Sequence, residues 1–298
     1  MKDVPDMKNP SGDVPLILSS GKTNVGLVRE RNEDSFSVED SLGLYIVADG
    51  MGGHQAGDVA SRVAVEMINR SFQRWAKEDV IEDKVFGYPD NSLTRTGNHV
   101  LGSIRLANRV VYELATENER YYGMGTTVAV LAVTPTLVIA ANVGDSRIYM
   151  VRNGQIEQLS KDHTVVAEQI EMGMLTAEEA SSTHLKHVLT KNLGSAEQVD
   201  ADVFEVESGN NDRFILCSDG LTDLVSEREI LEKAQEEGNP KKLCNQLIAK
   251  ALERGGHDNT SVVSVYLTDE KGQRPGPLKK ARLFLTRGLT ARRGKGKQ

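Results

Sequence analysis

Cysteine is nearly missing from this chain: Cys217 and Cys244 are the only two in 298 residues. One lies in an apolar, strand-like run and the other on a helical face, which excludes a disulfide framework and points to buried thiols in a reducing compartment. Long apolar runs are missing too. The best candidate, VLAVTPTLVIAANVG, is broken at Thr134, Pro135 and Thr136, short of the ~20 residues a membrane-spanning helix needs. The first residues, MKDVPDMKNPSGDVP, show no basic segment followed by an apolar stretch. No secretory signal is therefore read, and a cytoplasmic location is expected. Positive charge is in deficit, with a formal net charge of −7. Much of what there is gathers in KGQRPGPLKKARLFLTRGLTARRGKGKQ, which follows Glu270 and contains no acid. The body is more acidic still, and nucleic acid is not an expected partner. Two sequence devices are also absent. No G-x-x-x-x-G-K-[ST] pattern occurs, which disfavours a nucleotide P-loop. CSDGLTD around Cys217 has no arginine, which disfavours a thiol nucleophile of the cysteine-phosphatase kind.

What is present is a globular composition, 39% apolar and 27% charged, enough for a sizeable core. Strands are expected at about 22–28, 35–39 and 44–48, and a helix after Gly57, where Val59, Val63 and Met67 recur at four-residue spacing. Residues 79–99 lack periodicity and read as a loop. A second helix is expected over about 102–118. TTVAVLAVT, TLVIAANVG, SRIYMVRN and QIEQLS follow as consecutive strands. Asn153–Gly154 is a type I′ hairpin signal between the last two, so the sheet is expected to be antiparallel. Residues 164–187 read as short helices interrupted at Gly173. The strand FILCSD, helices near 227–236 and 240–254, and the strand VVSVYL complete the body. The domain reading is an N-terminal extension over 1–20, a body over 21–268, and a basic, flexible tail over 269–298.

Chemistry enters at three strand ends. LYIVADG closes on Asp49–Gly50, FILCSDG on Asp219–Gly220, and Asp258–Asn259 precede VVSVYL. A lone Asp-Gly after a strand is ordinarily a turn. Three such acids, with glycines that can expose a carbonyl, suit hard divalent cations and a two-metal attack on phosphate esters. In GLVRERNEDSF, Arg29 reads either as a surface ion-pair partner or as a bidentate phosphate clamp. Glu33 and Asp34 then orient metal-bound water. His54, in ADGMGGHQAGDVAS, is a ligand, an acid or a structural donor. Asp145 and Arg147 in ANVGDSRIY form a local turn, or Asp145 is a further metal ligand.

Taken in order, RERNED, ADGMGGH, GMGTT, NVGDSR, LTKNLGS, CSDGLTD and GGHDNTSV resemble the metal-dependent protein phosphatases of type 2C in their bacterial form. The likeness spans about residues 21–267. It implies an α+β fold, an αββα four-layer sandwich of two antiparallel sheets flanked by helices. It also implies hydrolysis of phosphoserine and phosphothreonine in proteins with two Mn²⁺ or Mg²⁺ ions and a third metal position. Residue by residue, Asp49 resembles the carboxylate shared by both metals and Gly50 the carbonyl ligand. Asp219 and Asp258 resemble ligands of the second metal, and Asp145 with Asp219 the third position. Arg29 resembles the phosphate-binding arginine, Glu33 the acid holding metal-bound water, and Asp34 its neighbouring acid. Asn259 and His54 are taken as supporting residues around the ligands. Residues 161–187 match a variable flap. Met51 stands where animal members often carry a histidine assigned as general acid, so metal-bound water is the expected proton donor. The partners implied are phosphorylated proteins and a Ser/Thr kinase that makes them. The tail suits a membrane surface or an acidic partner. A catalytically silent phosphoprotein-binding module, a two-metal nuclease and a hydrolase of small phosphomonoesters are the rival readings.

Overall fold

The strand Leu44–Met51 (β3) is buried along most of its length, and its alternation sets the architecture. Leu44, Ile46 and Ala48 face one core, shared with helices, while Tyr45 and Val47 face a second, shared with another sheet. A strand covered on both faces reads as a continuous apolar run rather than an alternating one, which is why LYIVA carries no polar residue. The computed structural model describes residues 16–52, 56–78, 86–176, 179–180, 183 and 185–268. His54 and the basic tail over 269–298 lie outside the described residues.

Two antiparallel sheets stack face to face. In the first, β3 joins β2 (Asp34–Glu39), β5 (Val128–Val133), β6 (Leu137–Val143) and β9 (Asp202–Glu207), in the order β2-β3-β5-β6-β9, with the short β4 (Gly125–Thr126) on β3. The second runs β1 (Leu16–Asn24), β11 (Thr260–Thr268), β10 (Arg213–Cys217), β7 (Arg147–Arg152) and β8 (Gln155–Gln158). Phe214, Leu216, Val263 and Val265 meet Tyr45, Val47, Ala129 and Leu131 between them. Helices α1 (Gly57–Glu78) and α2 (Arg95–Glu117) cover the first sheet through Ala60, Ala64, Ile68, Ile104, Ala107 and Val111. The helices Glu227–Glu236 and Pro240–Glu253 (α5 and α6) cover the second through Ile230, Ala234, Leu243, Leu247 and Ile248. The expected αββα sandwich is the observed one. Among the described residues no helix is long and apolar enough to cross a membrane.

The differences from expectation have local causes. The first strand is Leu16–Asn24 rather than about 22–28, and pairs with β11 over its whole length. It stops because the Asn24 side chain accepts the Gly26 N–H at 2.8 Å and turns the chain. Helix α2 starts at Arg95, inside the expected loop. Thr94 caps it by accepting the Gly97 N–H, while its hydroxyl donates to Glu205 at 2.6 Å and ties the helix start to β9. The 153–154 hairpin forms as expected, with φ of 53° at Asn153 and 82° at Gly154, the left-handed pair a type I′ turn requires. Helix α3 (Val165–Glu171) ends just before Gly173. A one-turn helix α4, Asp219–Thr222, follows β10 directly.

Candidate metal centre

All the strand-end acids reach one rim of the sandwich. Asp34 and Asp49 are cross-strand partners at the ends of β2 and β3. Asp145 occupies the corner between β6 and β7, Asp219 opens α4, and Asp258 precedes β11. Together with Arg29 and Glu33 they surround a cleft of about 580 Å³. Asp34 is the exception: it does not line the cleft, is buried at 7% exposure, and its Oδ2 accepts the Ser218 hydroxyl at 2.8 Å.

The backbone under each acid is pinned. The Asp49 N–H donates to the Thr127 hydroxyl oxygen at 3.0 Å, and the Asp49 carbonyl accepts from the Thr126 hydroxyl and the Thr127 N–H, both at 2.8 Å. Thr127 shares a 2.7 Å hydroxyl contact with Ser146, which links Asp49 to the corner holding Asp145. Gly50 donates its N–H to the Glu33 carbonyl. A Cβ at Gly50 would overlap the Gly57 and Glu33 carbonyl oxygens. Only glycine lets the strand end lie this close to the first turn of α1. Asn259 accepts the Glu33 N–H at 2.8 Å and donates to the Val25 and Arg31 carbonyls at 2.9 Å, so it holds the whole Arg29–Glu33 loop. Arg29 pairs with Asp258 at 2.8 Å and stays half-exposed at the rim.

Charge is concentrated here beyond what side chains compensate. Burial, with Asp219 and Asp258 nearby, pushes the Asp34 carboxyl up to about 7. Burial and Asp219 do the same to Asp145, also to about 7. Asp49 is pushed well above the usual carboxylate range by burial and by Asp34, Asp219 and Asp145. Burial opposes ionisation of Asp219 as well, but contacts with His187 and with Asp49 outweigh it and hold its carboxyl low. Glu33 is raised by burial. Among the buried polar atoms with no hydrogen-bond partner are Asp34 Oδ1 and Asp219 Oδ1. Crowded carboxylates with uncommitted oxygens form a hard-oxygen donor set that fits divalent cations. A zinc-type thiolate site does not fit: Cys217 is buried, and burial raises its thiol to about 12.

The cleft also holds residues that the sequence reading did not single out. His187, His257 and Asp223 line it, and both imidazoles lie against the Asp223 carboxylate at 3.4 and 3.5 Å. The one sequence cue was the adjacency of His257 to Asp258. Arg147 does not pair with Asp145 of its own turn; it pairs with Asp162, 15 positions on, at 2.7 Å. Met51 lines the cleft.

A sequence-family model, that of protein phosphatase 2C, matches residues 28–252. The chain belongs to the protein phosphatase 2C family. The serine/threonine phosphatase stp of Listeria monocytogenes is 34% identical over 247 residues, 82% of this chain and 93% of that protein. The solved serine/threonine phosphatase of S. agalactiae shares 35% identity with a TM-score of 0.73, over 85% of this chain and 100% of that one. The catalytic domain of the serine/threonine protein phosphatase PstP, solved in complex with two manganese ions, shares 29% identity with a TM-score of 0.71, over 85% and 99% of the two chains. This phosphatase 2C chain is thus metal-dependent by family, and its acid-lined cleft is built to match.

Proposed function

We propose that this chain removes phosphate from phosphoserine and phosphothreonine in proteins and so reverses the action of a Ser/Thr kinase. The observation that carries the reading is the convergence of Asp49, Asp145, Asp219 and Asp258 on one cleft with Arg29 at its mouth. Asp49, the Gly50 carbonyl, Asp219 and Asp258, with Glu33 acting through water, would hold two Mn²⁺ or Mg²⁺ ions, and Asp145 with Asp219 would hold a third. When bound, the ions supply Lewis acidity toward the phosphoryl oxygens and lower the pKa of a water toward neutrality.

The chain's own residues do the rest. Arg29 leaves Asp258 to grip the non-bridging phosphate oxygens through two parallel N–H donors, and so fixes phosphorus in line for attack. Asn259 keeps the Arg29–Glu33 loop in register with Asp258, its own neighbour in sequence. Asp34, the cross-strand partner of Asp49, accepts the Ser218 hydroxyl and so steadies the helix start that carries Asp219. No side chain serves as the nucleophile, since Cys217 is buried with its thiol held protonated. The open, polar cleft suits a phosphorylated loop or tail rather than an enclosed small molecule. Because β1 pairs from Leu16, the catalytic unit spans residues 16–268 rather than 21–268, and the basic tail suits an anionic membrane surface or an acidic partner.

The test of substrate class is a comparison of kcat/KM on phosphothreonine peptides, phosphotyrosine peptides and p-nitrophenyl phosphate with Mn²⁺. Phosphothreonine peptides are expected to lead. A lead for the small phosphomonoester over every peptide would overturn the protein-substrate reading.

A further inference from the structure

We propose that His187 is a direct ligand of the third metal ion, completing a site with Asp145 and Asp219. The inference rests on the third position assigned above, and adds to it a nitrogen donor delivered by the flap.

Three facts carry it. First, one donor atom each from Asp145, His187 and Asp219 lie within 4.8 Å of one another. Donors on an octahedral ion with ~2.1 Å bonds stand about 3 Å apart when adjacent and about 4 Å when opposite. Second, His187 Nδ1 lies 3.6 Å from Asp219 Oδ2. That is too long for a hydrogen bond and close to the spacing of two donors that share an ion. Third, the other ring nitrogen, Nε2, faces Asp223 Oδ2 at 3.4 Å. A carboxylate behind a histidine places the proton on the far nitrogen and turns the near lone pair toward the metal, the arrangement that backs metal-bound imidazoles. Asp223 is itself fixed. Its N–H donates to the Asp219 carbonyl at 2.9 Å, and Lys186 and His257 hold its carboxylate at 3.6 and 3.5 Å.

Two consequences follow. An imidazole donor is softer than carboxylate, so this site prefers Mn²⁺ over Mg²⁺ while the all-oxygen sites accept either. His187 also sits in the turn at 185–187 where the flap returns. The segment after it is bound to the flap's entry by Val165 N–H to the Val188 carbonyl and Thr190 N–H to the His163 carbonyl, both at 2.9 Å. An ion at this site therefore links the flap directly to the helix that opens at Asp219.

The experiment is Mn²⁺ binding to the full chain by calorimetry, with electron spin echo modulation of the bound Mn²⁺. Wild type is expected to bind three ions, one with the ¹⁴N coupling of a directly bound imidazole. In His187→Gln the coupling is expected to vanish and the weakest site to lose tenfold or more in Mn²⁺ affinity, with its Mg²⁺ affinity changed less than about twofold. The two tighter sites should be unaffected. His187 is half-exposed, so the variant should fold. Three ions without ¹⁴N coupling, or coupling that persists in His187→Gln, would overturn the histidine ligand and leave the third site standing. Only two ions in wild type would overturn both this inference and the third position, while the two-ion reading survives.

Discussion

Asn259 accepts the backbone N–H of Glu33 at 2.8 Å across 226 positions of sequence, and so joins the Arg29–Glu33 loop to the start of β11. Its amide nitrogen donates to the Val25 and Arg31 carbonyls from a site only 5% exposed. Asn259→Ala removes three hydrogen bonds and strands their partners, at a cost of about 2–4 kcal/mol. The loop carrying Arg29 and Glu33 loosens with them. The expected result is a lower melting temperature and a raised KM for phosphopeptide. Asn259→Asp should do no better, because its second carboxylate oxygen would face two carbonyls. Thermal melts and steady-state kinetics on both variants check this.

Asp49→Asn should separate metal binding from folding in an unusual way. Asp49 is partly buried and crowded by Asp34, Asp145 and Asp219, and its charge is unfavourable there until a cation arrives. Removing the charge should stabilise the metal-free protein, by about 1–2 kcal/mol, and abolish stabilisation by Mn²⁺. Calorimetric melts with and without Mn²⁺ read both effects. A metal-free variant less stable than wild type would contradict the crowded-carboxylate account.

The same crowding gives the metal-free protein a pH dependence of definite sign. Asp34 and Asp145 are raised from 3.8 to about 7 and Asp49 is raised as well. The folded state therefore binds more protons than the unfolded state between about pH 4 and 7. The stability these groups contribute is complete below their unfolded range and is lost as pH rises through about 7. Glu33 is raised too, while Asp219, held low, runs the other way, one group against four around the cleft. Melts in chelator from pH 5.5 to 8 should fall by on the order of 2–4 kcal/mol. Mn²⁺, which competes with those protons, should stabilise most at the alkaline end.

Much of this was readable in the residues, and what was not has physical reasons. The two-faced burial of β3 leaves an unbroken apolar run, and Asn153–Gly154 has almost no conformational choice but a tight hairpin. Strand β9 is hard to read because it is an edge strand with Asp202, Glu205 and Glu207 along it, and only Val203 and Val206 pack against the cores. The first two turns of α2 hid behind Gly97, Asn98 and His99; of these Gly97 and His99 are buried, His99 with its ring against Trp75 of α1 at 4.3 Å. The strand-end aspartates announced themselves by their glycines. His187 and Asp223 did not, because only the return of the flap brings one to the other.

Arg29 should contribute to substrate binding far more than to metal binding. It pairs with Asp258 through one nitrogen and is otherwise free to turn into the cleft. Losing a charge-assisted phosphate clamp costs about 1.5–3 kcal/mol, so Arg29→Ala should raise KM for phosphopeptide about tenfold or more. Arg29→Lys should recover only part, since an ammonium cannot bind in bidentate fashion. Mn²⁺ titration should be nearly unchanged in both. An unchanged KM would remove Arg29 from the phosphate site.

Phosphate release from a phosphothreonine peptide, in chelator, Mg²⁺ or Mn²⁺, with wild type and Asp219→Asn, tests the central claim most directly. Turnover should require the divalent ion and should vanish in Asp219→Asn while circular dichroism shows the fold intact. Turnover that survives chelation or the substitution would contradict a metal-dependent phosphatase, and phosphopeptide binding without turnover in any condition would leave only a binding module on the same fold.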